Sequence, residues 1–207
     1  MPGSLPVRKP WPMKWVAVVI VVSLAAYTYL TLHYRKTNPA YRAYQDTKDR
    51  AGVMRLLSAG FQRVVLTAQR PADPSARTDS GPAATTSSAA GGPDPEVGSS
   101  LLDLPLLPAE ITRVTAAASV SALLAYPIQF TCALSDDKRQ LSGAELYIKD
   151  NTLTLLPTFE QLDGGLLARS LESIVLVTLP PGMLKPGTYK VTVVGERASR
   201  TWALQVH

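Results

Sequence analysis

The sequence has very few of the side chains that bind metals or form disulfide bonds. Among its 207 residues are one cysteine, Cys132, and two histidines, His33 and His207. A single cysteine excludes a disulfide framework and a thiolate-bound cluster within the chain. Two histidines supply too few nitrogen ligands for a zinc, copper or haem site made by this chain alone. We therefore expect no cofactor and no resident metal.

Patterns that carry catalysis are also scarce. His33 lies beside an apolar run and His207 ends the sequence, so neither has neighbours that would orient a catalytic imidazole. Cys132 alternates with apolar residues, which is typical of a buried thiol. Asp136-Asp137 and Asp150-Asn151 are more typical of hairpin turns than of calcium sites. The sequence predicts a protein that is not an enzyme.

Positive charge is concentrated in the first third of the chain. Residues 1–70 hold eleven Lys and Arg against two acidic residues, whereas residues 71–207 hold ten against fourteen. No nucleic-acid motif accompanies the basic residues, and they flank an apolar run. Anionic lipid, rather than nucleic acid, is therefore the predicted partner, with its headgroups near Arg35, Lys36 and Arg42.

A long apolar run follows the basic N-terminal tail. The segment from Trp15 to Leu32 has eighteen residues and no charge, and at about 1.5 Å per residue it nearly spans the ~30 Å hydrocarbon core of a bilayer. We predict a basic tail over residues 1–14 and a transmembrane helix over residues 15–34. A cleaved signal peptide is the alternative, because Ser23-Leu24-Ala25 resembles a cleavage site.

The predicted span also offers a surface for helix packing and leaves its orientation open. Small and hydroxyl side chains allow close approach of another helix, and they are Ser23, Ala25, Ala26, Thr28 and Thr31. More basic residues follow the span than precede it, which favours a cytoplasmic C-terminus. The form of a signal anchor instead favours a periplasmic domain on a single-pass protein of the cell membrane, and this is the orientation we expect.

An amphipathic juxtamembrane helix is predicted over residues 38–61. Asn38-Pro39 supplies an N-cap and a first-turn proline, and Gly60 suits a left-handed helix end with Phe61 folding back on it. Its candidate interface with lipid or a partner consists of Tyr41, Tyr44, Val53, Leu56 and Leu57. The alternative is a connector whose few apolar residues pack on the globular domain.

Two further segments complete the predicted organisation. Residues 70–100 are rich in Pro, Ala, Ser, Thr and Gly, with Val97 as their one branched aliphatic residue, and this composition predicts a flexible linker. Residues 101–207 show short alternating apolar runs between turn signals, typical of an all-β sandwich domain. Clear strands include Ile128–Leu134, Ser173–Leu179 and a closing hairpin, whereas residues 111–126 are ambiguous between strand and helix.

Part of the closing hairpin resembles a known structural motif. The segment LKPGTYKVTV, residues 184–193, resembles the tyrosine corner of fibronectin-type and other immunoglobulin-like sandwiches. The resemblance implies that Tyr189 hydrogen-bonds to backbone near the corner, which is a structural role. Since the chain has one cysteine, the likeness is to members without the disulfide.

In layout the chain resembles the FixH-like accessory proteins of cbb3-type cytochrome oxidases. The shared features are a basic N-terminus, one span, the juxtamembrane sequence NPAYRAYQDTKDR and a small β domain with a PGTYKV-like strand. The resemblance implies a non-catalytic subunit that stabilises or assembles a multi-subunit membrane complex, and a respiratory or photosynthetic electron-transfer complex is expected. The alternative is a free-standing, membrane-tethered module that binds a peptide, a glycan or an envelope partner.

Overall fold

The chain divides into two compact units, Met1–Thr47 and Lys48–His207. The computed structural model describes residues 12–37, 43–71, 82–162, 164, 167–168 and 170–207. The first unit contains helix α1, Met13–Thr37, and the start of helix α2, Ala43–Ser58. The second unit contains the rest of α2, helix α3, Pro95–Ser100, and the strands.

Helix α1 is the apolar segment recognised in the sequence. Its stretch Met13–Tyr34 has a mean hydropathy of 2.0, and none of its most apolar window is buried within the protein. A helix of this length and composition is long and apolar enough to cross a bilayer. One N-terminal helix that is long and apolar enough to span a membrane therefore lies where the transmembrane helix is predicted.

Helix α2 is described from Ala43, and its predicted start at residues 38–42 lies outside the described residues. It ends at Ser58, before the predicted residue 61, but it ends in the predicted way. Gly60 has a φ of 82°, which is the left-handed conformation that glycine adopts at low cost. The amide of Gly60 donates to the carbonyl of Leu57 at 3.0 Å, and that of Phe61 donates to Leu56 at 2.9 Å. These two bonds form a Schellman motif, which turns the chain directly into the first strand.

The second unit is dominated by one sheet. Its strands are β1 Gln62–Leu66, β2 Ala68–Gln69, β3 Ser87–Ala90, β4 Glu110–Ala116, β5 Ser119–Val120, β6 Tyr126–Ala133, β7 Arg139–Lys149, β8 Thr152–Gln161, β9 Glu172–Leu179, β10 Gly187–Val193 and β11 Ala198–Val206. They follow the order β1-β7-β8-β10-β11-β4-β6-β9-β2, and β3 and β5 also pair with β11. Residues 111–126, for which the sequence left strand and helix open, form most of β4, all of β5 and the first residue of β6.

A single short segment joins the two ends of this sheet. Within residues 62–69, β1 pairs antiparallel with β7 at one end of the strand order, with Leu66 opposite Ala144. Only Thr67 separates β1 from β2, which pairs with β9 at the other end, with Ala68 opposite Val177. We call residues 62–69 the strap. Because both halves of the strap are paired, the sheet has a sandwich- or barrel-like form.

The main core lies inside this sheet and follows the predicted alternation. In β6 the side chains of Ile128, Phe130 and Cys132 are fully buried, and Trp202 of β11 joins the same core. Strand β8, which follows the Asp150-Asn151 turn, continues through Pro157. The pairing of β8 with β10 ends at Leu155. Pro157 lies beyond this pairing, opposite Ala144 of β7, and a proline is tolerated at such a position in a sheet.

A second, smaller core lies on the outer side of β7 and β8. Tyr147, Leu156 and Val194 point into it, while their sequence neighbours Leu146, Leu155 and Val193 point into the main core. Leu56 of α2, Phe61, Val97 of α3 and Leu107 complete it. The two helices therefore cover a face of the sheet that would otherwise expose apolar side chains.

The predicted linker is wrong for its second half. Strand β3 pairs antiparallel with β11, and α3 is capped by Asp94, whose carboxylate accepts from the amide of Glu96 at 3.0 Å. Val97 is buried in the smaller core. Residues 72–81 lie outside the described residues, so the linker prediction stays untested there. Small residues build this segment through main-chain pairing, which a hydrophobic pattern does not reveal.

Candidate interaction surfaces

Helix α1 offers its whole circumference for contacts. Its described side chains, from residue 13 to residue 34, are exposed, including the predicted packing residues. Because successive residues are about 100° apart around a helix, Ser23 and Ala26 lie on one side and Ala25 and Thr28 lie nearly opposite. Thr31 lies between these sides, and its hydroxyl donates to the carbonyl of Thr28 at 3.2 Å. The predicted packing residues thus form two narrow strips rather than one.

Aromatic side chains mark both ends of the apolar stretch. Trp15 lies near the start, and Tyr27, Tyr29 and Tyr34 lie near the end, all exposed. The His33 ring is 5.9 Å from the ring of Tyr29 and 5.9 Å from that of Tyr34, centroid to centroid. Aromatic rings with a polar edge favour the membrane–water interface. Arg35 and Lys36 follow in the helix, whereas their side chains and all of Arg42 lie outside the described part.

The predicted juxtamembrane interface is divided between two faces of α2. Leu56 is only 3% exposed and belongs to the smaller core, so its assignment to an interface was wrong. Val53 and Leu57 are 39% and 59% exposed, and Met54, which sequence reasoning missed, is 66% exposed. We call these three residues the α2 stripe. Tyr41 and the side chain of Tyr44 lie outside the described residues.

A polar cluster lies beneath α2, in a cleft of about 250 Å³. Glu145 accepts from Arg63 of β1 and from the hydroxyl of Tyr147. Burial, followed by the adjacent Glu145 carboxylate, raises the pKa of Tyr147 above its ordinary value. Nearby, Lys48 of α2 forms a salt bridge with Asp103. The Arg63–Glu145 contact joins the strap to β7, and the Lys48–Asp103 contact joins α2 to the segment that follows α3. No local motif in the sequence predicts either contact.

Another set of contacts holds the end of α2 against α3. The ammonium of Lys149 lies 2.8 Å from the carboxylate of Glu96 and 5.0 Å from the centre of the Phe61 ring. This arrangement combines an ion pair with a cation–π contact. Lys149 of β7 thus contacts both α3 and Phe61, which follows the end of α2, and this is a structural role.

Groups with catalytic potential are not brought together in the described residues. Burial raises the pKa of the Cys132 thiol to about 12, and its sulfur donates to the carbonyl of Ser173 at 3.4 Å. In the described ranges no group of three or more His, Cys, Asp or Glu could hold a metal ion. Asp136 accepts from the amide of Lys138, and Asp150 has a left-handed φ of 50°. Both fit the turn interpretation.

Tyr189 makes the hydrogen bond that the tyrosine-corner resemblance implies. Its hydroxyl donates to the carbonyl of Lys185 at 3.0 Å, and the ring is buried in the main core. Tyr189 therefore fixes the loop before β10. Such a bond anchors one corner and does not define a strand order.

No protein-family model, curated protein or solved structure matches the chain.

Proposed function

We propose that this protein is a non-catalytic, single-pass membrane subunit that stabilises or assembles a multi-subunit membrane complex. The complex we propose is a respiratory or photosynthetic electron-transfer complex. The observation that carries the proposal is the exposure of apolar surface in two consecutive helices, α1 and α2. A helix that served only as a connector would direct its apolar residues toward its own domain, as Leu56 does, whereas the α2 stripe points away from it.

Helix α1 supports the same proposal through its two strips. Small residues allow close helix packing in a bilayer, where lipid tails give no hydrophobic drive for association. With Ser23 and Ala26 on one side and Ala25 and Thr28 on the other, α1 is suited to lie between two neighbouring helices. We propose that integral membrane proteins occupy these sides, and that anionic headgroups lie near Arg35, Lys36 and Arg42.

The sheet domain is proposed to be an immunoglobulin-like sandwich on the periplasmic side. The tyrosine corner and the closing hairpin of β10 and β11 support the first part. The periplasmic location is tested by fusing alkaline phosphatase, and separately green fluorescent protein, after His207. Alkaline phosphatase activity without green fluorescence is the expected result, and fluorescence without phosphatase activity would place the domain in the cytoplasm.

The function is tested by purifying tagged full-length protein in mild detergent, recording its absorbance spectrum and identifying the proteins that accompany it. We expect stoichiometric partners that carry haem or pigment. Ser23→Leu/Ala26→Leu and Ala25→Leu/Thr28→Leu should each lose partners, because the larger side chains block close packing. Val18→Leu/Val22→Leu is the matched control, because it exchanges one bulky apolar residue for another.

A second candidate is a membrane-tethered binding module, in which α1 serves only as an anchor and the sheet domain binds an extended peptide by strand addition. Its outcome in the same experiment is distinct. A colourless protein whose partners are retained in both leucine variants would support the module and reject the complex subunit.

A further inference from the structure

Strand β3 occupies an edge of β11 without contributing to either core. Its residues Ser87–Ala90 lie opposite Thr201–Ala198 in antiparallel register. Ser87, Ser88 and Ala90 are exposed and Ala89 is half-buried, and neither core cluster includes any of the four. The strand is held by its main chain, together with a 3.4 Å bond from the Ser87 hydroxyl to the carbonyl of Thr201.

The edge that β3 covers belongs to β11, a strand paired along its length and anchored in the main core. β11 pairs with β10 along seven residue pairs, from Gly187 opposite Val206 to Val193 opposite Arg200. Trp202 and Leu204 anchor it in the main core. Arg200 and Thr201 lie opposite Val193 and Thr192 of β10 and also opposite β3, so β3 is their neighbour on the edge away from β10. Strand β4 pairs with β11 in parallel at Ala198. Without β3, a fixed strand would present open N–H and C=O groups.

Two glycines at the end of β3 restrict what can lie there. Gly92 has a φ of 84°, and its amide donates to the carbonyl of Gly195 at 2.8 Å. A Cβ on Gly91 would lie 2.3 Å from the carbonyl carbon of Arg197, so any side chain is excluded. Next to it, Ala89 lies opposite Ser199, which is 1% exposed. The edge therefore accepts a strand of small residues that ends in glycine.

We propose that the edge of β11 is a strand-addition site and that β3 is a displaceable strand covering it. The occupant is an extended, uncharged segment of another protein, with small residues such as Ala, Ser and Gly, running antiparallel to β11. Main-chain hydrogen bonds provide the attraction, and the closed end at Gly91 provides the selection by size. Gly91 leaves the edge together with β3 when the partner strand binds, and a residue of the partner then occupies its position. This site is independent of the α1 and α2 surfaces.

The test uses full-length protein in detergent micelles and a fluorescent peptide with the sequence of residues 82–92, PAATTSSAAGG, followed by anisotropy. Ser88→Pro/Ala89→Pro weakens β3, because neighbouring residues direct their amides to opposite edges and one of the two must face β11. We expect this variant to bind the peptide at least tenfold more tightly than the wild type. Ser88→Ala/Ala89→Ser keeps both amides and should bind as the wild type does.

A crosslinked variant closes the site. Ala90→Cys/Ala198→Cys joins two residues that lie directly opposite, and Cys132 is buried and does not compete. The oxidised protein should not bind the peptide, and a reductant should restore binding to the wild-type level. Equal binding by the oxidised variant would overturn the proposal. So would a proline variant that keeps its unfolding transition but fails to bind, or one that unfolds, since β3 would then be integral to the domain.

Discussion

The guanidinium of Arg200 in β11 donates from Nε to the carbonyl of Ile111 in β4, at 3.1 Å. A second donation, from Nη2, reaches the carbonyl of Thr112 at 3.1 Å. The register of β4 against β6 shifts between Ile111 and Arg113, so β4 is irregular at this point. Arg200 supplies there the donors that a regular strand neighbour would supply from its backbone.

Replacing Arg200 should therefore weaken the domain. Arg200→Met keeps much of the aliphatic stem but leaves two backbone carbonyls without these donors, and we expect it to lower the free energy of unfolding by about 1–3 kcal/mol. Urea unfolding of the full-length protein in detergent, followed by tryptophan fluorescence, measures this. Arg113→Met is the control, because Arg113 is an exposed arginine on β4, and it should stay within about 0.5 kcal/mol of wild type. Equal losses would show that Arg200 acts as a general surface charge.

Adjacent leucines of α2 should behave in opposite ways. Leu56→Ala opens a cavity in the smaller core and should lower the free energy of unfolding by about 2–5 kcal/mol. Leu57 is 59% exposed, so Leu57→Ala should change stability by less than about 0.5 kcal/mol and instead reduce the recovery of partner proteins. Chemical unfolding and the detergent purification test the two effects. Loss of stability without loss of partners in Leu57→Ala would remove the α2 stripe from the proposed interface.

Two buried tyrosines should lose different amounts of stability when their hydroxyls are removed. Tyr126 donates to the carbonyl of Ala117 at 2.7 Å and accepts from the indole of Trp202 at 3.1 Å. Tyr189 makes its bond to Lys185 at 3.0 Å. Tyr126→Phe should cost about 1–3 kcal/mol, because it leaves buried partners unpaired, and Tyr189→Phe about 0.5–1.5 kcal/mol. The reverse order in chemical unfolding would contradict the assigned hydrogen bonds.

Cys132 should make the domain sensitive to alkaline pH. Its pKa is about 12 in the folded protein, against an ordinary value of 9.0. The unfolded chain therefore releases the thiol proton first, and stability that is fully present below pH 9.0 falls as the pH rises toward 12. The slope from this group is at most about 1.4 kcal/mol per pH unit. Cys132→Ala should remove that slope while lowering stability at neutral pH, and unfolding curves collected between neutral and alkaline pH test both effects. The same slope in both proteins would contradict the shift.

Sequence reasoning predicted those parts of the fold in which apolar spacing carries the information. Alternating apolar residues predicted the strands that form β6 and the closing hairpin of β10 and β11, and the uncharged run predicted α1. The end of α2 was also readable, because Gly60 and Phe61 act through local backbone geometry.

Other features could not be predicted, because they depend on residues distant in the sequence. Whether Leu56 or Leu57 faces the domain is decided by Tyr147 and Leu156, about a hundred residues further on. Strand β3 has no hydrophobic pattern by which it could be recognised. It is formed by main-chain pairing with β11. The role of Arg200 depends on the irregular register of β4, which no side-chain pattern encodes.

The strap has a consequence for how the protein is made. Its residues are synthesised soon after α1, but β7 and β9, with which it pairs, come from residues 139–149 and 172–179. The sheet therefore cannot close while the chain is growing until β9 has left the ribosome, and contacts of such long sequence separation form slowly. Until then the nascent chain carries unpaired strands, and this is the interval in which chaperones would act on it.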